Sequence, residues 1–199
     1  MTDIESRLQS NVDLPTDLRA ELARRAEAAD LIDVAFVATD SPVGQLLLAA
    51  TPAGIVRVAF PTEDTDAVLE LLARRVSPRV LRAPARLDSA RRQLDEYFAG
   101  TRTGFDLPVD LQLVGGFRRR VLEVTAALPY GSVSTYSDVA TGAGNPKAVR
   151  ATGSALGANP VPIVVPCHRV LRRDGSLGGY AGGLPVKQLL LDLERGAAA

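Results

Sequence analysis

The sequence predicts a mixed α/β (α+β) fold, in which a small N-terminal sheet-plus-helix domain precedes a mostly helical domain with a helix-turn-helix motif. Short runs rich in Val, Leu, Ile and Phe, separated by Gly and Pro, occupy residues 33–60. The second half of the chain instead shows helical spacing interrupted by glycines. We therefore expect a helical extension over residues 1–30, the sheet domain over 31–110 and the helical domain over 111–199.

The first half is predicted to contain helices around a small β-meander. A helix that starts at Thr16 or Asp17, with an Asp in its first turn, continues through LRAELARRAEAADL. The runs DVAFVATD, QLLLAAT and GIVRVAF are separated by the turn formers SPVG and TPAG, which predicts three antiparallel strands. EDTDAVLELLARRV and LDSARRQLDEYFAG show helical spacing, and the second helix closes at Gly100. TRTGFDLPVDLQLVGG has no helical period, so we place the domain junction there, near residue 110.

The second half is predicted to contain a helix-turn-helix. GFRRRVLEVTAAL forms an amphipathic helix that ends at a Pro-Tyr-Gly turn. The segment TYSD has the form of a capping box and opens a short helix that two glycines stop. A further helix, with Pro146 in its first turn, continues through KAVRATGSALGA. The second helix of such a pair is presented to a DNA groove in many proteins, although most helix pairs with a glycine turn only pack together.

The composition is that of an ordinary globular chain and excludes several classes of protein. The chain has 199 residues, of which 46% are hydrophobic and 23% charged. No apolar stretch approaches the roughly 18 to 20 residues that span a bilayer, and the polar N-terminus is unlike a signal peptide. One cysteine excludes an intramolecular disulfide, and one Cys with one His cannot form a closed zinc site. We expect a soluble intracellular protein that holds no metal and contacts no membrane.

The formal net charge of zero conceals an asymmetry between the two halves. Residues 1–110 carry 13 Arg against 18 Asp and Glu, a net charge of −5. Residues 111–199 carry 10 Lys and Arg against 5 Asp and Glu, a net charge of +5. The split favours a polyanionic partner for the second half, and a chance imbalance explains it equally well.

The candidate chemistry lies in the segment NPVPIVVPCHRV, which holds the chain's one cysteine and one histidine. A thiol reacts as thiolate, and a free cysteine with a pKa of about 8.5 is mostly protonated at neutral pH. A neighbouring imidazole can accept the proton directly or through water, and Arg169 adds a positive field. Because adjacent residues of a strand point to opposite faces, contact between Cys167 and His168 requires a turn or a helical start at Pro166. A buried thiol beside a surface histidine is the commoner arrangement of a bare Cys-His pair.

The PCHRV core, preceded by NPVPIVV and followed by GGYAGGLPVKQLLLDLE, resembles the O6-alkylguanine-DNA alkyltransferases, or methylated-DNA–protein-cysteine methyltransferases. The resemblance extends from about Gly116 to Glu194 and includes YGSVSTYSDVA and GNPKAVRATGSAL, whereas the first half matches in layout only. It implies a ribonuclease-H-like N-terminal domain and a winged-helix-like helix-turn-helix domain. It also implies a single-turnover, base-flipping transfer of the alkyl group from O6-alkylguanine, and from O4-alkylthymine, in double-stranded DNA to Cys167. No cofactor and no obligatory protein partner are implied, so we expect a cytoplasmic monomer.

The resemblance also implies catalytic roles for individual residues. Cys167 is similar to the acceptor thiol, His168 to the base that removes the thiol proton through a water molecule, and Glu194 to the carboxylate that orients this base. Tyr136 matches the tyrosine that helps rotate the target phosphate and donates a proton toward the departing guanine. Asn159 matches the hinge asparagine that ties the cysteine segment to the helix-turn-helix.

The other residues that the resemblance implies contact DNA or the flipped base. Arg150 matches the arginine that fills the gap left by the base, and in the family its helix lies in the minor groove, whereas the motif alone predicts the major groove. Ala181 stands where serine is frequent, which leaves a backbone N–H but no hydroxyl to contact O6. The DNA-binding residues implied are Tyr136, Ser137, Asn145, Ala148, Arg150, Ala151, Gly153 and Arg173. The substrate-pocket residues implied are Pro162, Leu156, Val170, Gly178, Tyr180 and Ala181.

Two other functions would use some of the same residues. An alkyltransferase-like lesion sensor binds the damaged base without accepting its alkyl group, but such proteins lack the cysteine that this chain has as Cys167. A cysteine hydrolase also uses Cys and His, but its histidine is normally distant in sequence, and His168 is the chain's one histidine. A labelled O6-methylguanine oligonucleotide distinguishes these functions. Label that moves to the protein indicates alkyl transfer, and tight binding without transfer indicates a sensor. Release of acyl groups from a substrate over many turnovers would indicate a hydrolase.

Overall fold

The computed structural model describes residues 16–29 and 31–196 and has the mixed α/β architecture that the sequence predicts. The elements in chain order are α1 (Thr16–Ala28), β1 (Val34–Thr39), β2 (Leu46–Thr51), β3 (Gly54–Ala59), α2 (Thr65–Arg75), β4 (Val80–Arg82), α3 (Asp88–Phe98), α4 (Gly116–Ala126), β5 (Ser134–Thr135), α5 (Tyr136–Gly142), α6 (Val149–Gly157), β6 (Val170–Leu171) and α7 (Leu184–Gly196). Two 3₁₀ turns, Pro84–Leu87 and Cys167–Arg169, precede α3 and β6. Among the residues described, no helix has the length and apolar character needed to cross a bilayer.

Of the predicted N-terminal extension, the structure describes one helix. Residues 1–15 and 30 of the predicted range 1–30 lie outside the described residues. Helix α1 covers Thr16–Ala28 and therefore ends three residues before the predicted limit at Leu31. Its exposed face carries ion pairs from Glu21 to both Arg24 and Arg25, one helical turn apart.

The predicted antiparallel meander is present, and the sheet has a fourth strand that the sequence did not reveal. The strand order is β3-β2-β1-β4, with antiparallel pairing of β1 to β2 and of β2 to β3. Strand β4 pairs with β1 in parallel, so that Leu81 lies opposite Ala35. It was missed because three residues are too few to show a period of two. Helix α2, capped where Asp64 Oδ1 accepts from the backbone N–H of Asp66 at 2.9 Å, returns the chain to that edge.

Both faces of the sheet are buried. One face packs against α2 through the cluster Val34, Leu47, Ala49, Val56, Ala59, Val68 and Leu72. The other face belongs to a larger cluster that continues through Leu94 of α3, Leu122 of α4 and Leu190 of α7. Each leucine fully buried in this way contributes about 1.5–3 kcal/mol to folding. The helices of the second half therefore share one hydrophobic core with the sheet of the first.

The segment between α3 and α4 is attached to the start of β3. Val109 forms an isolated parallel bridge with Ile55, and the backbone N–H of Ile55 donates to Pro108 O at 2.9 Å. Gly54 permits this approach, since a Cβ there would lie 2.2 Å from Pro108 O and the residue has a φ of +142°. The domain boundaries near residues 30 and 110 stay a prediction.

The helix-turn-helix is present, with α5 and α6 as its two helices. The predicted capping box is confirmed: Thr135 Oγ1 accepts from the Asp138 N–H at 3.2 Å, and Asp138 Oδ2 accepts from the Thr135 N–H at 3.3 Å. The predicted start of the second helix at Pro146 is wrong, because α6 begins at Val149. Residues 145–148 instead form a β-turn that a backbone hydrogen bond of 3.0 Å closes.

Candidate active site

Cys167 and His168 lie on the 3₁₀ turn that joins the proline-rich segment to β6. The turn that the sequence required at Pro166 is present, with φ −81° and ψ 60° at the proline. The backbone N–H of Cys167 donates to Val165 O at 2.8 Å, as in an inverse γ-turn. Cys167 is 5% exposed and His168 0% exposed, so both side chains point into the protein. The arrangement of a buried thiol beside a surface histidine is therefore excluded.

Asn159 connects the end of α6 to the cysteine segment. Its buried side chain donates from Nδ2 to Val165 O at 2.9 Å and accepts at Oδ1 from the Val161 N–H at 3.0 Å. The same Nδ2 lies 3.2 Å from Sγ of Cys167 and donates to it. One amide thus fixes both ends of the loop between α6 and the 3₁₀ turn and holds the sulfur in a defined place.

Glu194, in the last turn of α7, lies beneath the histidine. Its Oε1 is 2.8 Å from Nε2 of His168. Arg169 binds both carboxylate oxygens, from Nε to Oε2 and from Nη2 to Oε1, each at 2.9 Å. The backbone N–H of Gly131 donates to Oε2 at 3.1 Å, and the hydroxyl of Tyr97 donates to Oε1 at 2.8 Å. A carboxylate that is 1% exposed is therefore satisfied by four residues on three segments, namely the 3₁₀ turn, the turn after α4 and helix α3.

These contacts determine the protonation of the His168–Glu194 pair. Burial by itself would raise the pKa of Glu194, but the hydrogen bonds and charges of His168 and Arg169 outweigh it and lower that pKa to about 2. Burial lowers the pKa of His168 despite the opposing Glu194, so the imidazole is neutral at pH 7. Since an ionised carboxylate only accepts, Nε2 carries the ring proton and Nδ1 is an acceptor. Nδ1 is buried, and no hydrogen-bond partner for it exists among the described residues.

The thiol of Cys167 is protonated in the resting protein. Burial raises its pKa, against the hydrogen bond from Asn159 and the charge of Lys187, which both lower it. Lys187 is itself completely buried, and its Nζ donates to Val170 O at 2.7 Å. The sulfur therefore needs a base to become nucleophilic, and it has two neighbours that stabilise the thiolate once it forms.

A cleft of about 450 Å³ opens beside the cysteine. It is lined by Tyr136, Val149, Arg150, Gly153, Gly157, Arg172, Gly178, Gly179, Tyr180 and Ala181. The hydroxyl of Tyr136 packs against Gly178, where a Cβ would lie 2.0 Å from it. Cys167 is outside this lining. Burial raises the pKa of Tyr136 and of Tyr180, and the negative charge of a Cys167 thiolate would raise both pKa values further, so the sulfur lies near both tyrosines. The two tyrosines therefore both line the cleft and lie near the sulfur.

The structure places the predicted site residues in three groups. Cys167, His168, Glu194 and Asn159 form the buried cluster, with Tyr136 at the cleft. The predicted DNA-binding residues are all at least partly exposed: Tyr136, Ser137, Asn145, Ala148, Arg150, Ala151, Gly153 and Arg173. Gly178, Tyr180 and Ala181 of the predicted pocket line the cleft, whereas Pro162, Leu156 and Val170 are buried and lie outside its lining. Within the described part of the chain, no side chain pairs with the guanidinium of Arg150.

Four contacts in this site were not predicted, those of Tyr97, Gly131 and Arg169 with Glu194 and that of Lys187 near Cys167. For Lys187 a signal was available, because it is one of two lysines among 23 basic residues. It also precedes Glu194 by two helical turns, which places both on one face of α7. For Tyr97 and Gly131 no local pattern exists, since only the packing of α3 and of the turn after α4 brings them to the carboxylate.

Comparison with known proteins gives the same architecture in both halves. The model of the 6-O-methylguanine DNA methyltransferase DNA-binding domain matches residues 116–196, and that of the ribonuclease-like domain of the same methyltransferase matches residues 35–111. The constitutive methylated-DNA–protein-cysteine methyltransferase of Bacillus subtilis is 37% identical over 161 residues, which cover 80% of this chain and 94% of that protein. A methylated-DNA–protein-cysteine methyltransferase of Methanosarcina barkeri is 36% identical over 155 residues, 78% of this chain and 93% of that protein.

Solved structures show the same likeness in three dimensions. The O6-methylguanine methyltransferase of Mycobacterium tuberculosis superposes with a TM-score of 0.72 at 35% identity, over 83% of this chain and 95% of that one. The M. tuberculosis protein OGT in complex with DNA superposes with a TM-score of 0.71 at 35% identity, over 82% and 94% of the two chains. The sequence coverage, the fold and the cysteine segment agree, and the chain belongs to the O6-methylguanine-DNA methyltransferases, the methylated-DNA–protein-cysteine methyltransferases.

Proposed function

We propose that this protein repairs DNA by accepting the O6-alkyl group of a damaged guanine on Sγ of Cys167, once per molecule. The observation that carries the proposal is the buried cluster beside the cleft. A protonated thiol lies next to a neutral His168 whose Nδ1 is an unoccupied acceptor and whose Nε2–H is held by ionised Glu194. In such an arrangement the base can remove the thiol proton when the substrate is bound, and the thiolate that forms is the nucleophile.

In this proposal His168 acts as the base. Nδ1 takes the thiol proton through one water molecule, and the imidazolium that forms is stabilised by Glu194 at 2.8 Å. The thiolate is stabilised by the Nδ2–H of Asn159 at 3.2 Å and by the charge of Lys187. Each charge created in the interior therefore has a partner already in place, which a buried charge requires.

Alkyl transfer then exchanges one bond for another. Sγ attacks the alkyl carbon, a C–S bond forms as the C–O6 bond breaks, and the electron pair of the broken bond passes to the guanine. Tyr136 donates a proton to the departing guanine, and the proton that His168 took from the thiol then passes to the tyrosine oxygen. Neutral guanine, tyrosine and imidazole are left beside the thioether. Burial keeps the pKa of Tyr136 raised, so its hydroxyl is protonated when the base arrives. The product is a thioether, which has no ready leaving group, so the protein stays alkylated.

DNA is the partner, and α6 is the element that we place against it. Attack in line with the C–O6 bond needs free space behind the alkyl carbon, which a stacked base lacks, so the nucleotide must flip out at a cost of a few kcal/mol. The exposed Arg150 fills the vacated space. The side of α6 that approaches the DNA carries small residues, namely Ala148, Ala151 and Gly153. Because Cys167 is buried and lies outside the lining of the cleft, the flipped base has to pass beyond this lining to reach the sulfur.

We propose O6-alkylguanine in duplex DNA as the specific substrate, with O4-alkylthymine as a second one, and a monomer as the acting unit. A free thiol as the acceptor also requires a reducing compartment, and chromosomal DNA lies in the same place, so we assign the activity to the cytoplasm.

A duplex that carries O6-methylguanine with a labelled methyl group tests the proposal. We expect one label per protein molecule, located on the Cys167 peptide by mass spectrometry, and an unmodified guanine left in the DNA. The variant Cys167→Ala should bind the duplex as the native protein does and take up no label. Tight binding by the native protein without label would indicate a lesion sensor, and products released over many turnovers would indicate a cysteine hydrolase. Either result would overturn the proposal.

A further inference from the structure

A residue of the first half of the chain, Tyr97, reaches the carboxylate at the bottom of the cluster. Tyr97 lies in α3 and is 0% exposed. Its hydroxyl donates to Oε1 of Glu194 at 2.8 Å across 97 positions of sequence. Oε1 is also the oxygen that lies 2.8 Å from Nε2 of His168. The tyrosine therefore contacts the atom that holds the histidine, and not the other carboxylate oxygen.

Packing fixes the direction of this hydroxyl. The ring of Tyr97 lies edge-on to Phe98 and Tyr130, with centroid distances of 5.5 and 6.1 Å, and tilted against Phe105 at 5.2 Å. Burial and the charge of Glu194 raise its pKa well above its ordinary value, so the hydroxyl is protonated at every pH at which the protein works. Tyr97 is thus a permanent donor, and within the described residues its hydroxyl donates to Oε1 of Glu194.

We propose that Tyr97 is a positioning residue of the alkyl-transfer reaction: its hydroxyl fixes the Glu194 carboxylate and thereby sets both the direction and the proton affinity of Nδ1 of His168. The inference rests on the proposed function of Cys167. It gives the first half of the chain a part in the chemistry, through α3, in addition to its part in folding.

Loss of the hydroxyl has two consequences that can be measured separately. Oε1 would keep two donors in place of three, so more negative charge would face His168 and its imidazole would bind a proton more strongly. The apparent pKa of the Cys167 thiol should then fall. The carboxylate would also lose one of the bonds that orient it, so the maximal rate of transfer should fall as well. The charged and titratable groups that face this pair are Cys167, Arg169, Lys187, Tyr97, Tyr130 and Tyr180.

The chain offers a matched control for Tyr97→Phe. Tyr130 packs against Tyr97, and its ring centroid lies 5.7 Å from the guanidinium carbon of Arg169. Its hydroxyl is buried, but no hydrogen bond to it exists within the described residues. Tyr130→Phe therefore removes the same atom from a neighbouring ring without removing a contact to Glu194. Circular dichroism and thermal melting of both variants serve as the check that each is folded at the temperature of the assays.

The first measurement is the rate at which iodoacetamide alkylates the free protein as a function of pH. Because the chain has one cysteine, the rate reports on Cys167 alone. We expect the midpoint of the profile to move about half a pH unit or more to lower pH in Tyr97→Phe, and to stay at the native value in Tyr130→Phe. A midpoint for Tyr97→Phe that equals that of Tyr130→Phe would overturn the proposal.

The second measurement is single-turnover methyl transfer from a saturating O6-methylguanine duplex. We expect the rate constant of Tyr97→Phe to fall about tenfold with unchanged affinity for the duplex, and that of Tyr130→Phe to stay native. Equal rate constants in the two variants, or a loss of duplex affinity at native rate, would overturn the proposal. If the native protein transfers no methyl group, the proposed function fails, while the iodoacetamide comparison still decides the role of Tyr97.

Discussion

The carboxylate of Glu194 provides a quantitative test of the buried cluster, through the variant Glu194→Gln. The pKa of this carboxyl is about 2 in the folded protein against an ordinary value of 4.5. At 1.36 kcal/mol per unit, this difference corresponds to about 3 kcal/mol of folding stability at neutral pH. As the pH falls below about 4.5, the unfolded chain binds the proton first, so this contribution is lost between about pH 4.5 and pH 2. Glutamine cannot titrate, so the variant lacks this pH-dependent contribution throughout.

Urea unfolding at several pH values between 7 and 3 measures the free energy of unfolding of the native protein and of the variant. Far-UV circular dichroism monitors the unfolding, because the chain has no Trp. At pH 7 we expect Glu194→Gln to lower the free energy of unfolding by about 3 kcal/mol or more, since Arg169 would be left as a buried charge without its counter-ion. The difference between native protein and variant should shrink by about 2 kcal/mol between pH 4.5 and pH 3. A difference that is constant over this range would refute the assigned ionisation of Glu194.

Two controls separate this effect from a general loss of charge. Glu123→Gln removes a carboxylate whose ion pair with Arg119 is exposed on α4, and we expect no measurable change in stability. Glu194→Gln should also raise the apparent pKa of the Cys167 thiol, because a neutral amide no longer stabilises the imidazolium of His168. This shift is opposite in sign to the one expected for Tyr97→Phe, so the two variants together test the direction of the electrostatic argument.

Three further predictions follow from the cleft and its surroundings. Arg150→Ala should slow transfer from a duplex about tenfold more than transfer from a single strand, and equal losses would contradict the gap-filling role. Gly178→Ala should slow transfer because its Cβ would lie 2.0 Å from the Tyr136 hydroxyl, whereas Gly104→Ala, outside the cleft and with nothing within 4 Å of its added Cβ, should leave the rate native. Lys187→Met should raise the apparent pKa of the Cys167 thiol, since the lysine charge lowers it, and an unchanged iodoacetamide pH profile would contradict this.

The structure also shows strain that no sequence pattern revealed. Ile163 has a φ of +74°, which a β-branched residue rarely adopts, and it is 1% exposed. The hydrogen bond from the Val165 N–H to Val161 O, at 2.9 Å, and the contacts of the Asn159 amide hold the segment in this shape. Backbone strain of this kind costs on the order of 1–3 kcal/mol and persists where neighbouring contacts enforce it. Here it lies three residues before the turn that presents Cys167.

Local patterns were sufficient for much of the fold. The three strands of the meander, the capping box at Thr135 and the turn at Pro166 depend on residues within a few positions of one another, and all three are present. The start of α6 at Val149 was predicted three residues too early, because Pro146 is as compatible with a β-turn as with a first helical turn.

The protonation and the contacts of the cysteine were decided by tertiary structure. The PCHRV segment by itself identified the nucleophile and its base, since thiol and imidazole chemistry belong to those side chains wherever they lie. Whether the base is neutral, which of its nitrogens accepts a proton and what holds the carboxylate depend on burial and on partners such as Tyr97 and Arg169. Tyr97 meets Glu194 across 97 positions of sequence, and such a contact leaves no period or local propensity in the chain. It exists because α3 and α7 pack into the same core, and only their packing brings the two side chains within hydrogen-bonding distance.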